Sequence, residues 1–65
     1  MSVKELLSLP AAVSVATAAR AFGIGSDKAY DLIKADEFPA KLIPLGRTQK
    51  VATASIWDVL GVSPM

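Results

Sequence analysis

The chain has 65 residues, of which 52% are hydrophobic, and its seven basic and six acidic side chains give a formal net charge of +1. A chain of this length forms one domain, which buries only about 60% of the surface of its unfolded state. The sequence contains no cysteine and no histidine. Their absence excludes disulfides, thiolate metal sites and the side chain most often used as a metal ligand or general base. We therefore expect no metal and no cofactor.

The sequence also argues against a membrane protein and an enzyme. No apolar run approaches the roughly 20 residues that cross a bilayer. The N-terminus carries Lys4 and Pro10 instead of a long apolar signal segment. We therefore expect a cytoplasmic protein without a membrane partner. Catalysis would need a carboxylate pair, and the adjacent Asp36 and Glu37 do not share a helix face.

Residues 1–13 are expected to form an N-terminal arm or short helix ahead of the main domain. One or two helical turns can form before Pro10, because a proline disfavours helix at the residue that precedes it. The expected arrangement is a frayed arm that lays Leu6, Leu7 and Leu9 on the domain. The alternative is an arm that contacts another protein.

The first helix of the domain is predicted to begin after Ser14, whose hydroxyl can accept the backbone N–H of Thr17. Gly23 is expected to end this helix in a left-handed conformation, after which Ile24 returns to the core. Apolar side chains recur at helical spacing on one face. That face consists of Val15, Ala18, Ala19 and Phe22, while Thr17 and Arg20 point away from it.

A second helix is predicted to follow, with Gly25 or Ser26 as its N-cap and Pro39 as the residue that ends it. The small Ala19 allows the two helices to cross closely, as in a helix–turn–helix. A similar spacing also occurs in any helical hairpin with a glycine turn. The second helix is predicted to bury Ala29, Leu32 and Ile33 and to expose Asp27, Tyr30, Asp31 and Lys34, with Lys28 at the edge of the exposed face.

A basic hairpin is predicted after the helix pair. Its first strand contains Leu42, Ile43 and Leu45, residues 46–49 form a polar turn, and residues 50–52 return as the second strand. No acidic residue occurs from position 38 to position 57, whereas this stretch contains three basic ones. Those three are Lys41, Arg47 and Lys50.

The last helix is predicted to begin at Thr53, which is expected to be its N-cap. Ile56, Val59 and Leu60 are expected to face inward, and Trp57 is expected to cover the edge of the core. Gly61 should end this helix, and residues 62–65 are expected to be a frayed tail.

Together these elements predict a small α+β protein with a winged helix–turn–helix over residues 14–61, an arrangement that docks on DNA. A basic wing lies against phosphates, so Arg47 and Lys50 are predicted to contact the DNA backbone; the alternative is solvated turn charge. Lys28 and Lys34, together with Tyr30, are predicted to read bases from the second helix. The full predicted DNA-binding set is Arg20, Ser26, Lys28, Tyr30, Lys34, Arg47, Thr48, Gln49 and Lys50.

Residues 14–61 resemble the small winged-helix proteins related to phage excisionases, also called recombination directionality factors, which are similar to the DNA-binding head of the MerR regulators. The matching pieces are SVATAARAFGI from residue 14, AYDLI from 29, EFP from 37, IPLGR from 43 and VAT from 51. The chain departs from the family at a few positions. Members often carry arginine at the positions of Ser26, Asp31 and Pro44 and an aromatic residue at that of Gln49.

The resemblance implies a protein without covalent chemistry of its own. Such a protein binds double-stranded attachment-site DNA as several protomers on adjacent sites, bends the DNA, and directs a tyrosine or serine integrase toward excision. The runner-up is a small phage or bacterial transcriptional regulator with the same fold. A protein-interaction module would use the same helices without DNA.

Overall fold

The computed structural model describes residues 1–63. Within them, four helices and a three-stranded antiparallel sheet make a small α+β fold, as predicted at that level. None of these helices has the length and apolar character needed to cross a membrane. In chain order the elements are α1 (Val3–Leu7), β1 (Ala12–Ser14), α2 (Val15–Phe22), α3 (Ser26–Lys34), β2 (Leu42–Leu45), β3 (Thr48–Ala52) and α4 (Thr53–Leu60).

The sheet has the order β1-β3-β2, so its central strand is the last one in sequence. Val51 of β3 lies opposite Val13 of β1 on one side and Leu42 of β2 on the other. Val13 and Val51 are buried in the core. The predicted sheet of two strands is therefore incomplete. The sequence does not reveal β1 because three residues are too few to show an alternating pattern.

The N-terminal segment 1–13 packs on the domain through Leu6 and Leu9, as predicted, but hydrogen bonds hold it in place and it is not frayed. Leu6 is only 4% exposed, and its carbonyl accepts the indole N–H of Trp57 at 2.9 Å. The hydroxyl of Thr53 donates to the carbonyl of Pro10. The expected helical turn is present as α1. Half-buried Trp57 packs against the core edge, as predicted.

Helix α2 begins and ends as the sequence predicts. The hydroxyl of Ser14 accepts the backbone N–H of Thr17 at 3.1 Å. Gly23 follows the helix with a φ of 74°, a left-handed conformation that suits glycine. The next amide, that of Ile24, donates to the carbonyl of Ala19 at 3.0 Å. This cap turns the chain sharply into the short connection to α3.

Helix α3 packs on α2 through small side chains. Ala19 of α2 and Ala29 of α3 are both buried in the core, which allows a close approach of the two helices. Leu32 and Ile33 are half-buried, and Ile33 packs against the core. Gly25 is the N-cap residue and offers no side-chain hydrogen bond.

Helix α3 ends at Lys34, well before Pro39, because the chain turns at Asp36. Asp36 has a φ of 57°, and its amide donates to the carbonyl of Ile33 at 3.1 Å. The following amide, that of Glu37, donates to the Leu32 carbonyl at 2.8 Å. These two bonds form a Schellman-type end with aspartate at the position that glycine usually occupies.

The β2–β3 hairpin is present, with a tighter turn than predicted. Leu45 and Thr48 form the last cross-strand pair, so only Gly46 and Arg47 remain in the turn. Gly46 adopts a φ of 63°. Thr48 and Gln49, predicted as turn residues, belong to β3 and pair with β2.

Helix α4 differs from its prediction in its N-cap and in the exposure of its last two apolar residues. Thr53 is the first helical residue and not the N-cap, because its hydroxyl is used by the N-terminal segment. Ile56 is fully buried as expected, but Val59 and Leu60 are 48% and 40% exposed. Helical spacing predicts a direction around the axis and does not reveal where the neighbouring core ends.

Gly61 closes α4 in a left-handed conformation, with a φ of 71°, as predicted. The next residue, Val62, is not frayed. Its amide donates to the Trp57 carbonyl at 2.9 Å, and its side chain packs against the core. The last part of the predicted tail, residues 64–65, lies outside the described residues.

Candidate nucleic-acid interface

An open cleft of about 350 Å³ lies between α3, the start of α2 and the β2–β3 hairpin. It brings together residues that are far apart in sequence and that the sequence analysis assigned separately to the second helix and to the wing. The lining residues are Val15, Tyr30, Pro44, Gly46, Arg47, Thr48 and Gln49. Four of these, Tyr30, Arg47, Thr48 and Gln49, belong to the predicted DNA-binding set.

The helical wall of the cleft is held in position by the buried side of α3. Ala29 is fully buried against α2, which fixes the rotation of α3 about its axis. Its neighbour Tyr30 is then directed outward, 50% exposed, and borders the cleft. Buried Val15, the first residue of α2, contributes an apolar part of the lining.

The hairpin wall supplies polar groups and a positive charge. The positive φ of Gly46 forms the tight turn, which places exposed Arg47 at the tip. Thr48 and Gln49 follow on β3 and are exposed. Among the described residues that line the cleft, Arg47 alone is charged. The lining therefore offers hydroxyl, amide and guanidinium donors to an electron-rich ligand.

The exposed residues of α3 fall on two different sides of the helix. Ser26, Tyr30 and Lys34 are spaced four residues apart and share one side, which we call the cleft-side strip. Lys28 is two residues from Tyr30, which corresponds to roughly 160° around an α-helix. The structure thus brings Tyr30 and Lys34 together on one side and places Lys28 away from them.

Two carboxylates occupy the helix surface between these two sides. Asp27 and Asp31 are both exposed and are separated by one helical turn. They lie between the cleft-side strip and Lys28, and we call them the acidic ridge. Because α3 carries two acids beside its lysines, the hairpin provides the more uniform positive surface of the molecule.

The two remaining predicted cations lie outside the cleft lining. Lys50 is half-buried on β3 and pairs with Ser14 and Ile43. Its neighbour Val51 faces the core, so Lys50 extends from the opposite face of the sheet. Arg20 is exposed on α2. Neither residue lines the cleft.

Sequence reasoning missed three lining residues. Val15 was assigned only to the core, and Gly46 only to the turn. Pro44 pairs with Gln49 across the hairpin and was assigned no role. The resemblance described above marked position 44 as one where arginine is common, and that was a usable signal for a contact position.

The side chains at this surface are suited to binding an anionic ligand. Within residues 1–63, no group of three aspartate, glutamate, histidine or cysteine side chains is placed so that it could hold a metal ion. The cleft contains an arginine fork, two hydroxyls and an amide, which are groups that bind anionic oxygens.

Comparison of the chain with known protein families, with curated proteins and with solved structures found no match.

Proposed function

We propose that this protein is a non-enzymatic, sequence-specific DNA-binding protein. In this proposal α2 and α3 form a helix–turn–helix, and the β2–β3 hairpin is the wing beside it. The observation that carries the proposal is the cleft, which is lined by Tyr30 of α3 and by Arg47, Thr48 and Gln49 of the hairpin. The second helix of such a motif enters the major groove, while neighbouring cations and hydroxyls hold the backbone.

The charge distribution supports a modest contact with DNA. The positions from 38 to 57 carry no acid, and they include Lys41, Arg47 and Lys50. The net charge is nevertheless only +1. With roughly three to five phosphate contacts per monomer, affinity for a single site should be weak and should fall steeply with salt.

Weak single-site binding favours a role in which several protomers act on adjacent sites. Each bound neighbour raises the effective concentration of the next, so occupancy can be high although each contact is weak. This property and the resemblance to excisionases support binding to double-stranded attachment-site DNA in the cytoplasm. There the protein would bend the DNA and direct a tyrosine or serine integrase toward excision.

The test is a gel-shift series on the attachment-site DNA of the element that encodes the protein, with and without its integrase. We expect a ladder of salt-sensitive complexes and stimulated excision when integrase is present. A single complex at a promoter would favour the transcriptional regulator. Absence of DNA binding at low salt would contradict the proposal and favour a protein-interaction module.

A further inference from the structure

We infer that the cleft between α3 and the hairpin seats one phosphate of the DNA backbone, bound jointly by the Tyr30 hydroxyl and the Arg47 guanidinium. The inference rests on the proposed DNA-binding function and deepens it. It makes Tyr30 a phosphate-binding residue, whereas the sequence grouped it with Lys28 and Lys34 as a reader of bases.

The lining of the cleft fits a phosphate better than a base or a cation. Its donors are the Tyr30 and Thr48 hydroxyls, the Gln49 amide and the Arg47 guanidinium, and no carboxylate lines it. A phosphodiester presents acceptor oxygens and a negative charge, and the arginine fork can bind two of those oxygens at once. Apolar Val15 and Pro44 add surface against which the neighbouring sugars can pack.

The position of the cleft supports a single shared group. Tyr30 lines it from the helix and Arg47 from the hairpin turn. The volume of about 350 Å³ exceeds that of one phosphate and leaves room for the neighbouring sugars. In the inferred complex one phosphate contacts both side chains, so removal of either one should reduce the contribution of the other.

The remaining charges of α3 indicate which side of the helix would face the bound DNA strand. The acidic ridge, Asp27 and Asp31, repels phosphate and lies between the cleft-side strip and Lys28. A DNA strand whose phosphate occupies the cleft therefore runs along the cleft-side strip. Lys28 lies on the far side of the acidic ridge from that strand. Lys28 should contribute little to backbone binding.

The experiment is a double-mutant cycle with Tyr30→Phe, Arg47→Ala and the double variant. Fluorescence anisotropy would measure their binding to a duplex with the attachment-site sequence and to a scrambled duplex. Each single change should weaken binding roughly tenfold, and the double variant should lose much less than the product of the two losses. Tyr30→Phe should weaken both duplexes alike, because a phosphate carries no sequence information.

Two further readouts separate charge from hydrogen bonding. Arg47→Ala should flatten the salt dependence of the binding constant by about one unit in slope, whereas Tyr30→Phe should leave that slope unchanged. Lys28→Ala, the matched control on α3, should keep affinity for the scrambled duplex within about twofold, because Lys28 lies beyond the acidic ridge from the cleft. Thermal melting of each variant checks that it is folded, and Tyr30→Phe retains the aromatic ring.

The outcomes distinguish the inference from the function on which it rests. Independent, multiplying losses in the cycle, or a Tyr30→Phe effect confined to the attachment-site duplex, would overturn the shared phosphate while DNA binding stands. Wild-type protein that binds neither duplex would overturn both. Stabilisation by inorganic phosphate that depends on both residues, with DNA affinity unaffected by their loss, would indicate a free-anion site and also overturn the inference.

Discussion

Asp36 has a backbone conformation that disfavours its own side chain. Among residues 1–63 it is the one residue other than glycine with a positive φ. A side chain in the left-handed region costs about 1–2 kcal/mol, and a carboxylate is unfavourable at the negative end of a helix. We expect Asp36→Gly to raise the free energy of unfolding by about 0.5–1 kcal/mol, after the entropic cost of glycine, as measured by urea denaturation.

Asp36→Asn is the matched control for this prediction. It removes the charge and keeps a side chain that tolerates the left-handed region. A gain equal to that of glycine would assign the effect to the helix dipole. A loss of stability in Asp36→Gly would show that backbone strain at this turn is not significant.

Thr53 connects the N-terminal segment to α4 through one buried hydroxyl. The side chain is 2% exposed, its hydroxyl donates to the Pro10 carbonyl, and its amide donates to the Ala11 carbonyl at 3.0 Å. Thr53→Val keeps the shape and the amide bond but removes the hydroxyl. We expect a loss of about 1–2 kcal/mol in the free energy of unfolding.

The matched control is Thr48→Val, the same chemical change at an exposed strand position. It should alter stability by no more than about 0.5 kcal/mol. If the two variants unfold at the same denaturant concentration, the bond to Pro10 does not stabilise the fold.

The α2–α3 crossing depends on a small residue at Ala19. Ala19 of α2 and Ala29 of α3 both belong to the buried core. Ala19→Leu should therefore destabilise the protein by about 1–3 kcal/mol through overpacking, which is a large part of the stability of so small a domain. Thermal unfolding would measure the effect.

Ala16→Leu is the control for Ala19→Leu, because Ala16 is exposed on the same helix. Alanine and leucine both have high helix propensity, so Ala16→Leu should be nearly neutral. If Ala19→Leu also melts within a degree or two of wild type, the helices do not cross closely at this position.

The elements that the sequence predicts well are those fixed by local chemistry. The cap of Ser14 on Thr17 and the left-handed Gly23 and Gly61 depend on residues within one or two turns. The role of Thr53 is decided instead by the distant Pro10 carbonyl, which a local reading of the sequence does not reveal. Strand β1 was missed for the same reason, because its pairing partner lies far along the chain.

The same distinction applies to the candidate site. The basic hairpin tip was predictable because a turn residue and its charge are local features. The position of Tyr30 in the same cleft as Arg47 was not, since it depends on how α3 packs on α2 once Ala29 is buried. The separation of Lys28 from Tyr30 follows from the period of the helix, but its significance appears only once the cleft is located.

In the proposed complex with DNA, one protomer covers only a short stretch of the duplex. The described residues extend over 33 × 22 × 15 Å, so one protomer spans at most about one turn of duplex, or ~34 Å. We predict a monomer in solution that binds repeated sites cooperatively and bends the DNA, at a deformation cost of a few kcal/mol. Contacts between protomers are expected outside α3, from residues 1–13 or the hairpin flank near Gln49.

Footprinting on duplexes with one, two and three sites would measure the affinity for each site. We expect it to rise with the number of adjacent sites, because each neighbour adds a small protein contact. Equal affinity per site on all three would remove cooperativity. A stable dimer in sedimentation without DNA would indicate a palindromic target and the regulator alternative.

The position of β3 at the centre of the sheet has a consequence for synthesis of the protein. Within residues 1–63, both β1 and β2 pair only with β3, which is the last of the three strands to be translated. A nascent chain that ends before residue 48 contains both outer strands and neither of their pairings. The sheet therefore cannot begin to form until β3 has been translated. A ribosome that stalls earlier would release a chain with exposed apolar segments, a ready substrate for chaperones and proteases.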